Sequence, residues 1–230
     1  MNSPVAGVSL KNAQANNIAM RYAEIGSGPL VLFCHGWPES WYSWRHQLTA
    51  VAAAGFRCVA PDMRGYGGTE APEPIDQYTL MHLVGDMAEL VKVLGETKAI
   101  IVGHDWGAPV AWHAAMWRPD LFPAVCAMSV PYAPPGYVDI LSALDKLGIN
   151  DFYLQYFQKP GVPEAELQAD IRGALRRLYF TASGDLDDTK KGFGRLPDGT
   201  LLGNTANPDK LPAWLSEADL DYYTQEFSRT

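Results

Sequence analysis

Cysteine is scarce in this 230-residue chain: there are only three, Cys34, Cys58 and Cys126, each inside an apolar run. The odd number and the apolar neighbours exclude a disulfide framework and predict three buried thiols. No Cys/His cluster has the spacing of a zinc site, so neither a metal nor a cofactor is expected. Basic residues are also few and nowhere clustered. The 18 Lys and Arg against 26 Asp and Glu give a formal charge of −8, which argues against nucleic acid and anionic membranes as partners. No window approaches the ~20 apolar residues that a membrane span needs, and the N-terminus lacks a basic segment leading into an apolar one. A cytoplasmic protein is expected. With no low-complexity tract, 47% hydrophobic and 19% charged residues describe an ordinary globular chain, long enough for one large domain or one domain carrying an insertion.

The hydrophobic pattern alternates between strands and helices over the first 130 residues. Residues 5–25 read as two edge strands, and Leu30–Phe33 as a buried strand that stops at Cys34-His35-Gly36. Trp41, Trp44, Leu48 and Val51 recur at helical spacing within Ser40–Ala54. Further strands are expected at Phe56–Ala60, Ala99–Val102 and Val125–Val130, with helices over Thr79–Leu94 and from about Pro109 to Trp117. Such alternation implies a mostly parallel sheet covered on both faces. Beyond Pro131-Tyr132-Ala133-Pro134-Pro135-Gly136, a candidate hinge, no convincing buried strand remains. Short helical patterns broken by Pro and Gly predict a helical cap over the C-terminal edge of the sheet, where ligands of open α/β sheets bind.

The chemistry concentrates at Gly103-His104-Asp105-Trp106-Gly107. An apolar strand followed by Gly-x-nucleophile-x-Gly is a sharp strand-to-helix turn that exposes one side chain at the top of a sheet. The usual occupant is serine, which needs a histidine to remove its proton. Asp105 is ionised at neutral pH and attacks unaided. A carboxylate displacing a leaving group at a saturated carbon gives an alkyl-enzyme ester, so the expected substrates are epoxides or alkyl halides rather than peptides. The oxyanion donors would be the backbone N–H of Trp106 and one from His35-Gly36-Trp37-Pro38, with Trp37 the best candidate and Trp37-Pro38 a candidate cis bond.

Three motifs carry a wider resemblance: His35-Gly36-Trp37-Pro38-Glu39-Ser40-Trp41-Tyr42-Ser43-Trp44-Arg45, Asp62-Met63-Arg64-Gly65-Tyr66-Gly67, and Gly103-His104-Asp105-Trp106-Gly107-Ala108-Pro109. In this order they resemble the α/β-hydrolase-fold epoxide hydrolases of the soluble type. The likeness implies an α/β-hydrolase core over residues 1–132 and a helical cap over 133–230, inserted after the sixth strand. It also implies Asp105 as nucleophile and two cap tyrosines that protonate the epoxide oxygen. Leu154-Gln155-Tyr156-Phe157-Gln158-Lys159-Pro160-Gly161 resembles the stretch carrying the first, Tyr156. Asp219–Phe227 resembles the stretch carrying the second. There Tyr223 shares a helical face with Leu220 and Phe227, whereas Tyr222 is rotated about 100° from it. Trp37, Pro38, Trp106, Tyr156 and Tyr223 are then the expected substrate-binding residues, for a small hydrophobic epoxide and water.

The family's histidine base and its orienting acid follow late strands. The five histidines here, His35, His46, His82, His104 and His113, all precede the cap. Both missing residues, and the last core strands, are expected beyond residue 230. These residues should therefore form the ester without efficiently breaking it. Haloalkane or haloacid dehalogenation uses the same aspartate chemistry and is the nearest enzymatic alternative; a non-catalytic ligand-binding homologue is the other.

Overall fold

A computed structural model describes residues 3–134, 139–187 and 194–228. Pro135 and Gly136 of the expected hinge, and Arg229 and Thr230, lie outside them. The chain divides into two compact units, one running to Tyr132 and the other over Ala133–Ser228.

The first unit is a six-stranded sheet in the order β1-β2-β4-β3-β5-β6. Its strands are β1 (Ser9–Ala15), β2 (Ile18–Ile25), β3 (Leu30–Cys34), β4 (Arg57–Pro61), β5 (Ile100–His104) and β6 (Ala124–Met128). β1 and β2 form an antiparallel hairpin, and β2 pairs antiparallel with β4. β4, β3, β5 and β6 run parallel. Helix α1 covers Arg45–Ala53, α2 Leu80–Val93 and α3 Gly107–Trp117. Leu30, Leu32 and Cys34 alternate onto one face of β3 and join Val84, Met87, Leu90 and Val91 of α2 and Val110, Ala111 and Ala114 of α3 in one core. Phe33 points the other way and packs its ring 5.1 Å from that of Trp44. Thr79 caps α2 by accepting the His82 N–H, and Gly95, at φ +79°, lets the chain leave it.

The sequence reading needs two corrections here. The helix expected over Ser40–Ala54 is a 3-10 turn, Trp41–Trp44, capped by Ser40 and leading into α1. Short 3-10 turns commonly lead into α-helices, and this one buries Trp41, Tyr42 and Trp44. Cys34 and Cys58 are buried as expected, whereas Cys126 is exposed. It lies on β6, an edge strand that pairs only with β5 among the described strands and whose residues are exposed or half-buried.

Two ion pairs are buried inside this unit. Arg21, 2% exposed, meets the fully buried Asp62 through Nε (2.6 Å) and Nη2 (2.5 Å). Asp62 also accepts the Trp41 N–H (3.1 Å) and the Gly68 N–H (3.2 Å). A second buried pair, Arg64–Asp86, is bidentate, and Asn16 adds a bond to Asp86 at 2.7 Å.

The second unit is helical: α4 (Ile140–Lys146), α5 (Tyr153–Tyr156), α6 (Val162–Ala169), α7 (Ile171–Thr181) and α8 (Glu217–Phe227). Asp139, Asp170 and Ser216 cap α4, α7 and α8. Leu175 and Leu178 of α7 and Leu220 and Tyr223 of α8 are buried, and α7 packs on α8. No helix among the described residues is long and apolar enough to cross a membrane.

Asp62→Ala removes the carboxylate of a buried ion pair, together with the acceptor of the Trp41 and Gly68 amides. The expected loss is roughly 3–5 kcal/mol, read as a fall in the urea midpoint. A loss below about 1 kcal/mol would show that this pair behaves like a surface contact.

Candidate active site

Asp105 stands between β5 and α3 with φ +51°, a left-handed backbone that is costly for any residue with a Cβ. The neighbouring glycines make that turn sterically feasible. A Cβ on Gly103 would lie 2.2 Å from the Gly107 carbonyl oxygen, and one on Gly107 would lie 2.2 Å from the Cys34 carbonyl oxygen. Strand, elbow and helix thus pack backbone to backbone. The Asp105 carbonyl accepts the Ala108 N–H (3.0 Å), which starts α3.

The loop after β3 closes on the same carboxylate. A Cβ on Gly36 would lie 2.4 Å from both Cβ and Oδ1 of Asp105. The absence of that atom allows the Trp37 N–H to donate to Asp105 Oδ1 at 2.9 Å. Trp37-Pro38 is cis. Trp106 is the N-cap residue of α3, so its amide belongs to the helix-start N–H groups that have no i−4 carbonyl. Its side chain is exposed. The structure therefore brings Asp105, Trp37, Pro38 and Trp106 together.

Two further side chains organise this loop, and the sequence reading gave neither a part in the site. Glu39 accepts the Gly36 N–H through Oε2 (2.8 Å) and meets His104 Nδ1 through Oε1 (3.0 Å). Burial pushes the Glu39 carboxyl up, but the His104 and Gly36 hydrogen bonds outweigh it and hold the group below the usual carboxylate range. The hydrogen bond to Glu39 raises His104, against partial burial. His35 is buried, and its Nε2 accepts the Met63 N–H (2.9 Å), so the ring proton sits on Nδ1, donated to the Gly36 carbonyl (2.8 Å). Burial lowers the His35 pKa, despite the opposing pull of Asp62, Glu39 and Asp105. Tyr66 stands edge-on to His35 at 4.9 Å, and burial followed by the charges of Asp105 and Glu39 keeps its phenol protonated.

In the helical unit, Tyr156 ends α5 and Tyr223 lies mid-α8; both are buried. Tyr223 stacks obliquely on Tyr179 at 5.0 Å and shares the buried face with Leu220, as helical spacing predicts, while Tyr222 is half-buried. The Tyr156 hydroxyl donates to Glu166 Oε2 at 2.5 Å. Burial and then this bond raise the phenol well above its ordinary value. Among the described residues, no three His, Cys, Asp or Glu side chains cluster as metal ligands would.

Comparison with known proteins places this geometry in context. The alpha/beta hydrolase fold family matches residues 29–210. Epoxide hydrolase A of Mycobacterium tuberculosis is 41% identical over 94% of this chain and 68% of the relative. Epoxide hydrolase 2 of Siraitia grosvenorii is 43% identical, over 94% of this chain and 66% of the relative. Among solved structures, an epoxide hydrolase from an endophytic Streptomyces superposes with a TM-score of 0.91 at 44% identity, covering 97% of this chain and 69% of that one. The chain spans about two thirds of the length of these relatives.

His35 and His104 should titrate in opposite directions from the ordinary 6.5. His104, raised, adds stability that is full below pH 6.5 and lost as pH climbs through its folded value; Glu39, lowered, adds stability above 4.5 that is lost as pH falls through its own. Imidazole NMR resolved by His104→Gln and His35→Gln assignments should place the His104 midpoint above that of His35. The reverse order would contradict the hydrogen bonding described.

Proposed function

Because the chain belongs to the epoxide hydrolases of the α/β-hydrolase fold, we propose that Asp105 opens an epoxide ring and carries the opened substrate as an ester. The observation that carries this reading is the Trp37 N–H seated on Asp105 Oδ1. A bonded oxygen is the poorer nucleophile, so Oδ2 attacks the ring carbon and Oδ1 becomes the ester carbonyl oxygen. The same N–H then stabilises the charge that gathers on Oδ1 when water attacks the ester carbon. The Trp106 N–H at the start of α3 supplies the second donor, aided by the positive end of the helix.

In the first step an Asp105 oxygen forms a bond to the epoxide carbon and the ring C–O bond breaks. Its electron pair stays on the departing oxygen, which needs a proton. By their likeness to the family's cap tyrosines, Tyr156 and Tyr223 supply it. The Tyr156 phenol, raised by burial and by Glu166, holds its proton at neutral pH and is still far more acidic than an alkoxide. Hydrolysis of the ester then releases a vicinal diol. That second half is assigned to no histidine of these residues: His35 is neutral with both ring nitrogens bonded, His104 is held by Glu39, and His113 holds the Pro109 carbonyl through Nδ1. Trp37, Pro38 and Trp106 make an apolar approach, which suits a small hydrophobic epoxide.

Incubation with styrene oxide should add the mass of one epoxide to the folded protein, mapped to the peptide bearing Asp105 and missing from Asp105→Ala. A folded wild-type protein that stays unmodified, or an adduct unchanged by Asp105→Ala, would sink the proposal. Gly36→Ala forces the loop off the carboxylate and should slow adduct formation by roughly a hundredfold at nearly unchanged far-UV circular dichroism.

A further inference from the structure

Four described residues other than glycine carry a positive φ: Asn16, Asn17, Asp105 and Ser129. Asn16 and Asn17 make the β1–β2 turn, where asparagine tolerates a left-handed backbone. Asp105 is the elbow. Ser129, at φ +74°, remains, and serine has no such tolerance. It is the centre of a three-residue turn in which the Val130 N–H donates to the Met128 carbonyl at 3.0 Å. A turn of this kind with positive φ is rare and strained. It persists only where the surroundings hold it. Here the Trp112 indole N–H donates to the Val130 carbonyl at 3.1 Å, and its ring lies 5.9 Å from that of Tyr132. Trp112 belongs to α3, the helix that starts from Asp105.

This turn stands beside the elbow. β5 and β6 are parallel, and their last partners in register are His104 and Met128. The next residues, Asp105 and Ser129, therefore leave neighbouring strands, ~4.8 Å apart. Both turn away with a left-handed backbone, at the carboxyl edge where ligands of open α/β sheets bind. Ser129 is exposed, and among the described residues its hydroxyl makes no hydrogen bond. We propose that Ser129 is a specificity-determining residue: its hydroxyl binds a hydroxyl or ether oxygen carried on the substrate carbon next to the epoxide ring. The inference rests on the reading of Asp105 as the nucleophile. A serine hydroxyl both donates and accepts, so it pairs with either group. One such group in an apolar approach fixes the orientation of a small ligand. The site thus favours 2,3-epoxy alcohols and their ethers over plain alkyl epoxides of the same size.

Glycidol and 1,2-epoxybutane differ by a hydroxyl in place of a methyl, which isolates the contact. Ester formation with each, followed by intact mass on the wild-type chain and on Ser129→Gly, gives the ratio of the two rates within one protein. Intrinsic differences between the epoxides cancel when those ratios are compared. Removing the hydroxyl should lower the glycidol-to-epoxybutane ratio roughly five- to tenfold, the worth of one hydrogen bond. Glycine relieves the turn, so the urea midpoint of this variant should hold or rise. Ser129→Ala removes the hydroxyl and keeps the strain. Its ratio should fall as far, and it decides the matter if the glycine variant does not fold. An unchanged ratio, or equal losses with both epoxides, overturns the proposal; an unchanged ratio with a lower midpoint makes Ser129 a structural residue only. A wild-type protein that forms no ester with either epoxide refutes the parent reading instead, so the two failures are distinct.

Discussion

The site depends on backbone approaching backbone at the ends of β3 and β5. A Cβ at Gly36 would overlap Asp105, and one at Gly107 would overlap the Cys34 carbonyl. With only hydrogen at these positions, the β3 loop reaches the elbow and the Trp37 amide reaches Oδ1. Every other feature of the first unit's site serves to keep that approach close. The left-handed conformation of Asp105 costs of order 1–3 kcal/mol, and the hydrogen bonds around it hold the residue there.

Those bonds come from a small set of polar side chains. His35 ties the Gly36 carbonyl to the Met63 amide. Glu39 ties the Gly36 amide to His104, next to Asp105. One residue before Met63, Asp62 takes Arg21, the Trp41 amide and the Gly68 amide. The loop is thus fixed at both faces by charged or polar side chains buried in a largely apolar core. Buried groups of this kind are expensive unless fully bonded, which is why they add rigidity only as a set.

The sequence resolved these parts unevenly. Asp105, its flanking glycines and the alternation of strands and helices were legible because each signal is local: an apolar run, a turn, an amphipathic helix. The buried face of α8 followed from helical spacing, which favoured Tyr223 over Tyr222. Glu39 and Glu166 were not legible. Glutamates beside a turn or in a short helix read as solvated surface, and only their partners give them roles. Cys126 misled for the converse reason, since an apolar run says a strand is built for burial but not whether anything lies on it.

By itself, then, the sequence singled out Asp105 as the candidate nucleophile, the alternation of strands and helices, and the glycines that make the elbow feasible, because those follow from residues within a few positions of one another. Tertiary structure alone decided which oxygen of Asp105 is held, which side chains clamp the loop, and where the Tyr156 proton resides. Trp37 lies 68 residues from Asp105, and Leu202 lies 36 from Glu166. Only a folded backbone brings a donor to one particular oxygen across such separations: the motif nominated Trp37 as a donor but not the oxygen it holds, and nothing local marked Glu166 as a partner of Leu202.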